Sequence, residues 1–81
     1  MIKVLKFQAD WCGPCQTLSR LLTEVETNIL IEPISIDENP NLAREYGIRG
    51  IPTMVMLDDG IEVKRISGCP METELKEWLK C

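Results

Sequence analysis

Trp11-Cys12-Gly13-Pro14-Cys15 sits between two segments of different periodicity. Before it, Ile2-Lys3-Val4-Leu5-Lys6-Phe7 has the composition of a strand. After it, Leu18, Leu21, Leu22, Val25 and Ile29 recur at the three- and four-residue spacings of a helix. The pentapeptide therefore spans a strand-to-helix junction, with Cys12 at the mouth of the helix and Cys15 one turn inside it. Two cysteines so placed form a redox dithiol. The first N–H groups of a helix lack internal partners, and the helix dipole adds positive charge there. Both favour thiolate over thiol, so Cys12 is predicted to titrate below the free value of about 8.5, close to about 7. In an exposed, helix-start position, Cys12 is the candidate nucleophile that attacks a disulfide. Cys15 is the candidate resolving thiol. Pro14 costs little in a first turn, where its missing N–H has no partner to lose. Gly13 keeps bulk away from the attacking sulfur.

The chain has four cysteines, and a metal site is the structural alternative to this reading. A structural zinc site usually needs a second close pair, whereas Cys69 and Cys81 lie far apart and no histidine is present. A purely structural role for the Cys12–Cys15 loop is weaker still, because so short a loop restrains little chain entropy. No metal and no cofactor beyond the redox disulfide is expected.

At 81 residues the chain has room for one core and is predicted to be a single domain, residues 1–81. With 44% apolar and 27% charged residues it has the balance of a globular protein. A net charge of −4 argues against nucleic acid or an anionic membrane as partner. No apolar run approaches membrane-spanning length, and the first residues are too short and alternating for a signal peptide. A cytoplasmic monomer is expected.

Strand and helix alternate along the chain with short punctuation. Strand one covers residues 2–8 and the Cys helix runs to about Thr27. Ile31 to Ile36 forms strand two. Asn39-Pro40 opens a short helix that Gly47 stops. Thr53–Leu57 and Ile61–Ile66 flank the turn signal Asp58-Asp59-Gly60. A last helix spans Pro70 to Lys80, with Met71, Leu75, Trp78 and Leu79 on its inner face and Glu72, Glu74 and Glu77 solvated. The order βαβαββα predicts an α/β fold, a four-stranded mixed sheet with helices on both sides. The right-handed crossover rule makes strands one and two parallel neighbours. Pro33 confines strand two to an edge, because proline cannot donate to a ladder. Met54 and Met56 are assigned to packing.

Three motifs in this order, the Cys-Gly-Pro-Cys loop, Ile36-Asp37-Glu38-Asn39-Pro40 and Tyr46-Gly47-Ile48-Arg49-Gly50-Ile51-Pro52-Thr53, resemble thioredoxins. Asp59-Gly60 and Gly68 extend the resemblance over essentially the whole chain. The usual N-terminal strand and helix have no counterpart, which suggests a minimal, N-terminally shortened form. The resemblance implies a protein disulfide reductase, recharged by a thioredoxin-reductase-like donor and acting on protein disulfides, with a potential near the family's value of about −270 mV. It implies a cis peptide at Ile51-Pro52, opposite the cysteines, where the Ile51 backbone pairs with an extended substrate. Trp11, Gly13, Pro14, Ile51, Pro52 and Gly68 are the implied substrate-binding residues. Two other readings remain: a glutaredoxin-like donor linked to glutathione, and a binding module in which redox activity is incidental. Glutaredoxins carry Thr-Val-Pro where this chain has Gly50-Ile51-Pro52, and Arg49 is the one nearby cation in sequence.

Two further residues are candidate modulators. Lys6 stands where the family usually carries a buried aspartate. It is expected either to point beneath the Cys helix and act on Cys15, with Glu32 its nearest counter-ion in sequence, or to snorkel to solvent. Cys69, after Gly68, is either a third redox thiol bordering the groove or a passive cysteine. Cys81 is expected to support only adventitious dimerisation.

Overall fold

A computed structural model describes residues 1–80. The elements follow in the order β1 (Ile2–Gln8), α1 (Gly13–Thr23), β2 (Leu30–Ser35), α2 (Pro40–Glu45), β3 (Thr53–Asp58), β4 (Ile61–Ser67) and α3 (Glu72–Trp78). The sheet order is β2-β1-β3-β4. β1 pairs parallel with β2 and antiparallel with β3, and β3 pairs antiparallel with β4. Pro33 stands opposite Lys6 on the edge strand β2, as its missing N–H requires.

Alternation along the two central strands builds a core on each face of the sheet. Val4, Met54 and Met56 face one side, where Leu18 and Val25 and then Leu75 and Leu79 of the α3 region cover them. Leu5, Phe7, Val55 and Leu57 face the other side and pack with Ile34 and Ala43. Helices α1 and α3 thus share one face and α2 holds the other, the predicted two-sided arrangement.

Two turns show why particular residues stand where they do. Asp59 and Gly60 link β3 to β4 with φ of 50° and 87°. Successive positive φ values match the twist of the strands, and Asp-Gly tolerates them. Gly68 leaves β4 at φ 83°, and its N–H donates to the Pro52 carbonyl at 2.8 Å. That bond ties the end of β4 to the start of β3.

Strands β3 and β4 each run one residue beyond the sequence reading, to Asp58 and Ser67, and three other elements depart from it further. Helix α1 ends at Thr23 instead of Thr27, and the Thr23 hydroxyl bonds the Arg20 carbonyl at 2.6 Å. A threonine that satisfies its own helix's carbonyl weakens continuation of the helix. Val25 nevertheless reaches the core from the following turn, so the apolar period outlasts the helix. Strand β2 is shifted one residue earlier and leaves Ile36 in the loop that follows. Helix α3 is shorter than Pro70–Lys80, and Met71, its N-cap residue, is 77% exposed instead of facing the core. Asn39 is the N-cap of α2, but its side chain bonds the Ser35 carbonyl and makes no cap bond. Trp78 packs against the core as expected, with the Lys64 ammonium 5.3 Å above its ring. The expectation for Cys81 lies outside the described residues.

Leu75→Ala should lower unfolding free energy by about 2–5 kcal/mol, the range for deleting a fully buried leucine. Met71→Ala should change it by under about 0.5 kcal/mol, because the side chain is exposed. Urea titration of both variants checks the assignment, and equal losses would contradict it.

Candidate active site

The site forms where β1 ends and β3 begins. The register pairs Phe7 with Thr53, which brings the loop after β1 beside the Ile51-Pro52 segment before β3. Cys12 is the N-cap of α1 with extended backbone, and Cys15 lies in its first turn. A disulfide joins them, with Cα atoms 5.2 Å apart. The Cys15 N–H points at Cys12 Sγ at 3.1 Å. This is an N-cap bond with sulfur in place of the usual side-chain oxygen. In the reduced protein the same amide, with the positive end of the helix behind it, is aimed where thiolate charge would develop.

The peptide bond between Ile51 and Pro52 is cis. The Ile51 carbonyl oxygen lies 3.9 Å from Cys12 Sγ. The Thr53 hydroxyl donates to the Gly50 carbonyl at 2.7 Å and fixes the turn that presents Ile51. Gly68, through its bond to Pro52, lies behind the same segment.

The predicted exposure of Cys12 is not found. In the disulfide form Cys12 is 5% and Cys15 3% exposed, packed with Ala9 and covered in part by Ile36 and Ile51. Gly13, Pro14 and Trp11 are the exposed members of the pentapeptide. Trp11 is held by its indole N–H, which donates to Asp37 at 2.9 Å. Its ring borders an apolar groove of about 330 Å³ with Ile36, Ile48, Gly50 and Ile51, and Arg49 at the rim. Sequence reasoning gave Asp37 and Ile36 no role. Their only signal was membership of the Ile36–Pro40 motif. Cys69 is exposed and unbonded to any other cysteine among the described residues.

Lys6 is 7% exposed and lies beneath α1, which overturns the snorkelling alternative. Its ammonium donates to the Ser19 hydroxyl at 2.7 Å. Glu32 is not its counter-ion: that carboxylate bonds Lys3 on the same strand at 3.0 Å. Ser19 was not foreseen, since nothing in the sequence marks a helical serine as the partner of a strand lysine.

The thioredoxin family model matches residues 1–81. The chain belongs to the thioredoxin family. The thioredoxin of Rhodospirillum rubrum is 39% identical over 79 residues, spanning 91% of this chain and 75% of that protein. The thioredoxin of Chlamydia caviae is 40% identical over 68 residues, spanning 80% of this chain and 67% of that protein. Among solved structures, a mutant thioredoxin from Halobacterium salinarum superposes with a TM-score of 0.88 at 39% identity, covering 96% of this chain and 71% of that one. Fasciola hepatica thioredoxin gives 0.85 at 32% identity, covering 96% and 77%. The activity is that of a protein-disulfide oxidoreductase working through the Cys12–Cys15 dithiol–disulfide pair. Protein disulfides are its substrates in general terms and a reductase its electron source. The family's chemistry uses no cofactor beyond this disulfide. Among the described residues no group of three or more His, Cys, Asp or Glu side chains converges, and no helix is long and apolar enough to cross a membrane.

Burial holds the Lys6 pKa below its ordinary value of 10.5. Between the lowered value and 10.5 the unfolded chain binds more protons than the folded one. Stability therefore rises with pH through that window, and the cost of the buried charge is fully present at neutral pH. Lys6→Met should raise stability at pH 7 by about 1 kcal/mol, the low end for replacing buried charge by an apolar side chain. The gain should shrink as pH approaches 10.5. Urea unfolding at several pH values reads this out, and destabilisation at pH 7 would contradict it.

Proposed function

We propose that Cys12 is the attacking thiolate and Cys15 the resolving thiol of a single-domain, cytoplasmic, monomeric thioredoxin. The observation that carries the division of labour is the Cys15 N–H directed at the Cys12 sulfur. Only the N-cap sulfur has the first-turn amides and the dipole behind it. Cys12 attacks a target disulfide and releases one target thiol. Cys15 then attacks Cys12, closes the intramolecular disulfide and releases the second. A thioredoxin-reductase-like donor returns the pair to the dithiol.

The target is read as an extended segment lying in the Trp11–Ile36–Ile48–Ile51 groove. Its backbone pairs with Ile51 beside the sulfur, and Trp11 gives a flat apolar contact. Gly13 and Pro14 are exposed beside Cys12 and leave its approach open, while the buried Pro52, and Gly68 behind it, hold the segment that presents Ile51. Asp37 orients the indole. Among the described residues that line this groove Arg49 is the one cation, which favours protein targets over glutathione and its two carboxylates.

Insulin disulfide reduction, driven in parallel by thioredoxin reductase with NADPH and by glutathione with its reductase, tests the reading. Turnover is expected in the first arm, with little in the second. The reverse result would move the protein to the glutathione-linked class. Cys12→Ser should abolish turnover, and Cys15→Ser should accumulate a mixed disulfide at Cys12. Function retained in the double serine variant would mark a binding module. Trp11→Ala should lower kcat/KM for insulin about tenfold, the scale of one lost anchor contact.

A further inference from the structure

A second cleft, sharing no residue with the substrate groove, opens beside Cys15. It measures about 230 Å³ and is bordered by Gln8, Asp10, Cys15, Ser19 and Arg20. Ser19 follows Cys15 by four residues on the same face of α1, about 6 Å along the axis. Its hydroxyl accepts a hydrogen bond from the Lys6 ammonium beneath the helix. Gln8, two residues after Lys6 on the same face of β1, has a buried Oε1 with no partner in the protein. The buried side chains around them on this face, Val4, Leu18, Met54 and Met56, are apolar. The one charged group that β4 adds to it, Lys64 in register with Met56, is turned over the Trp78 ring and is a cation, not a counter-ion. Asp10 and Arg20 are exposed and of opposite sign, so solvent screens both. Glu32 is occupied by Lys3. Among the described residues Lys6 is therefore a buried cation whose neighbourhood contains a thiol that must ionise and no paired carboxylate.

We propose that Lys6, positioned by Ser19, lowers the pKa of Cys15 and so speeds the resolving step; this rests on the reading of Cys15 as the resolving thiol. Cys15 gives its proton to water in the cleft, for which Gln8 Oε1 is a ready acceptor. The Cys15 thiolate attacks Cys12 Sγ, the Cys12–target S–S bond breaks as the Cys12–Cys15 bond forms, and the departing target thiolate takes up a proton from water. Two electrons pass from the dithiol to the target disulfide. The coupling is reciprocal: the anion at Cys15 offsets the burial of the ammonium, and the ammonium favours the anion. The lowered pKa of Lys6 in the disulfide form, caused by desolvation, agrees with a cation that lacks its counter-ion until Cys15 ionises. Ser19 is a positioning residue, acting only through Lys6.

The test titrates both cysteines of the reduced protein by Cβ chemical shift and follows release of the second target thiol against pH. Lys6→Met should raise the Cys15 midpoint by about one unit and slow resolution about tenfold below it. Ser19→Ala, a change too small to threaten folding, should shift both in the same direction by less. Lys6→Arg should retain most of the wild-type profile. Unchanged Cys15 titration and resolution profile in both Lys6→Met and Ser19→Ala, with Cys12 still the attacker, would overturn the role of Lys6 alone. A mixed disulfide forming at Cys15 in the wild type would instead remove the underlying assignment.

Discussion

The antiparallel pairing of β1 with β3 is the constraint from which the rest of the molecule follows. β1 delivers the chain to the cysteine loop, and β3 carries it away from Ile51-Pro52. With Phe7 opposite Thr53, residues 39 positions apart, Cys12 and Ile51, meet at one end of the sheet. The same register sorts Val4 and Lys6 with Met54 and Met56 onto the α1 side, and Leu5 and Phe7 with Val55 and Leu57 onto the α2 side. A slip of one residue would exchange those sets and move Lys6 away from α1. Core and catalytic geometry are thus two consequences of one ladder.

Much of this was legible in the chain. The switch from strand composition to a period of three and four around Cys12 located β1 and α1. With β1 already its parallel neighbour by the crossover rule, Pro33 placed β2 at the edge of the sheet. Asp59-Gly60 marked the hairpin because few other residues accept those backbone angles. What failed had physical reasons. Apolar spacing continued through Val25 and Ile29 after the helix had stopped, since side chains can reach a core from a turn. Met71 matched the α3 stripe by spacing, yet its N-cap position turns it outward. Cys12 read as exposed from its loop, but Ile36 and Ile51 come from distant segments to cover it. The Trp11–Asp37 and Lys6–Ser19 bonds join different elements, and no local pattern announces them.

Lys6 illustrates a conflict between stability and chemistry. A methionine at that position would suit the surrounding apolar face of Val4, Met54 and Met56 better than an ammonium does. Marginal stability tolerates such a cost where the charge serves the site. The sign of the group is the opposite of the buried acid that the family resemblance implies there. A cation cannot take the thiol's proton as a carboxylate can, but it can stabilise the anion left behind, with solvent in the cleft carrying the proton. Different charges at one position can therefore assist the same ionisation by different routes.

The central claim is that the helix start makes Cys12, and not Cys15, the nucleophile. The most direct measurement is iodoacetamide alkylation of the reduced protein across pH, with each thiol followed by peptide mass spectrometry. The account predicts that Cys12 is modified first, its rate rising with a midpoint near about 7, while Cys15 lags. Modification of Cys15 first, or a shared midpoint at the free-thiol value of about 8.5, would contradict it.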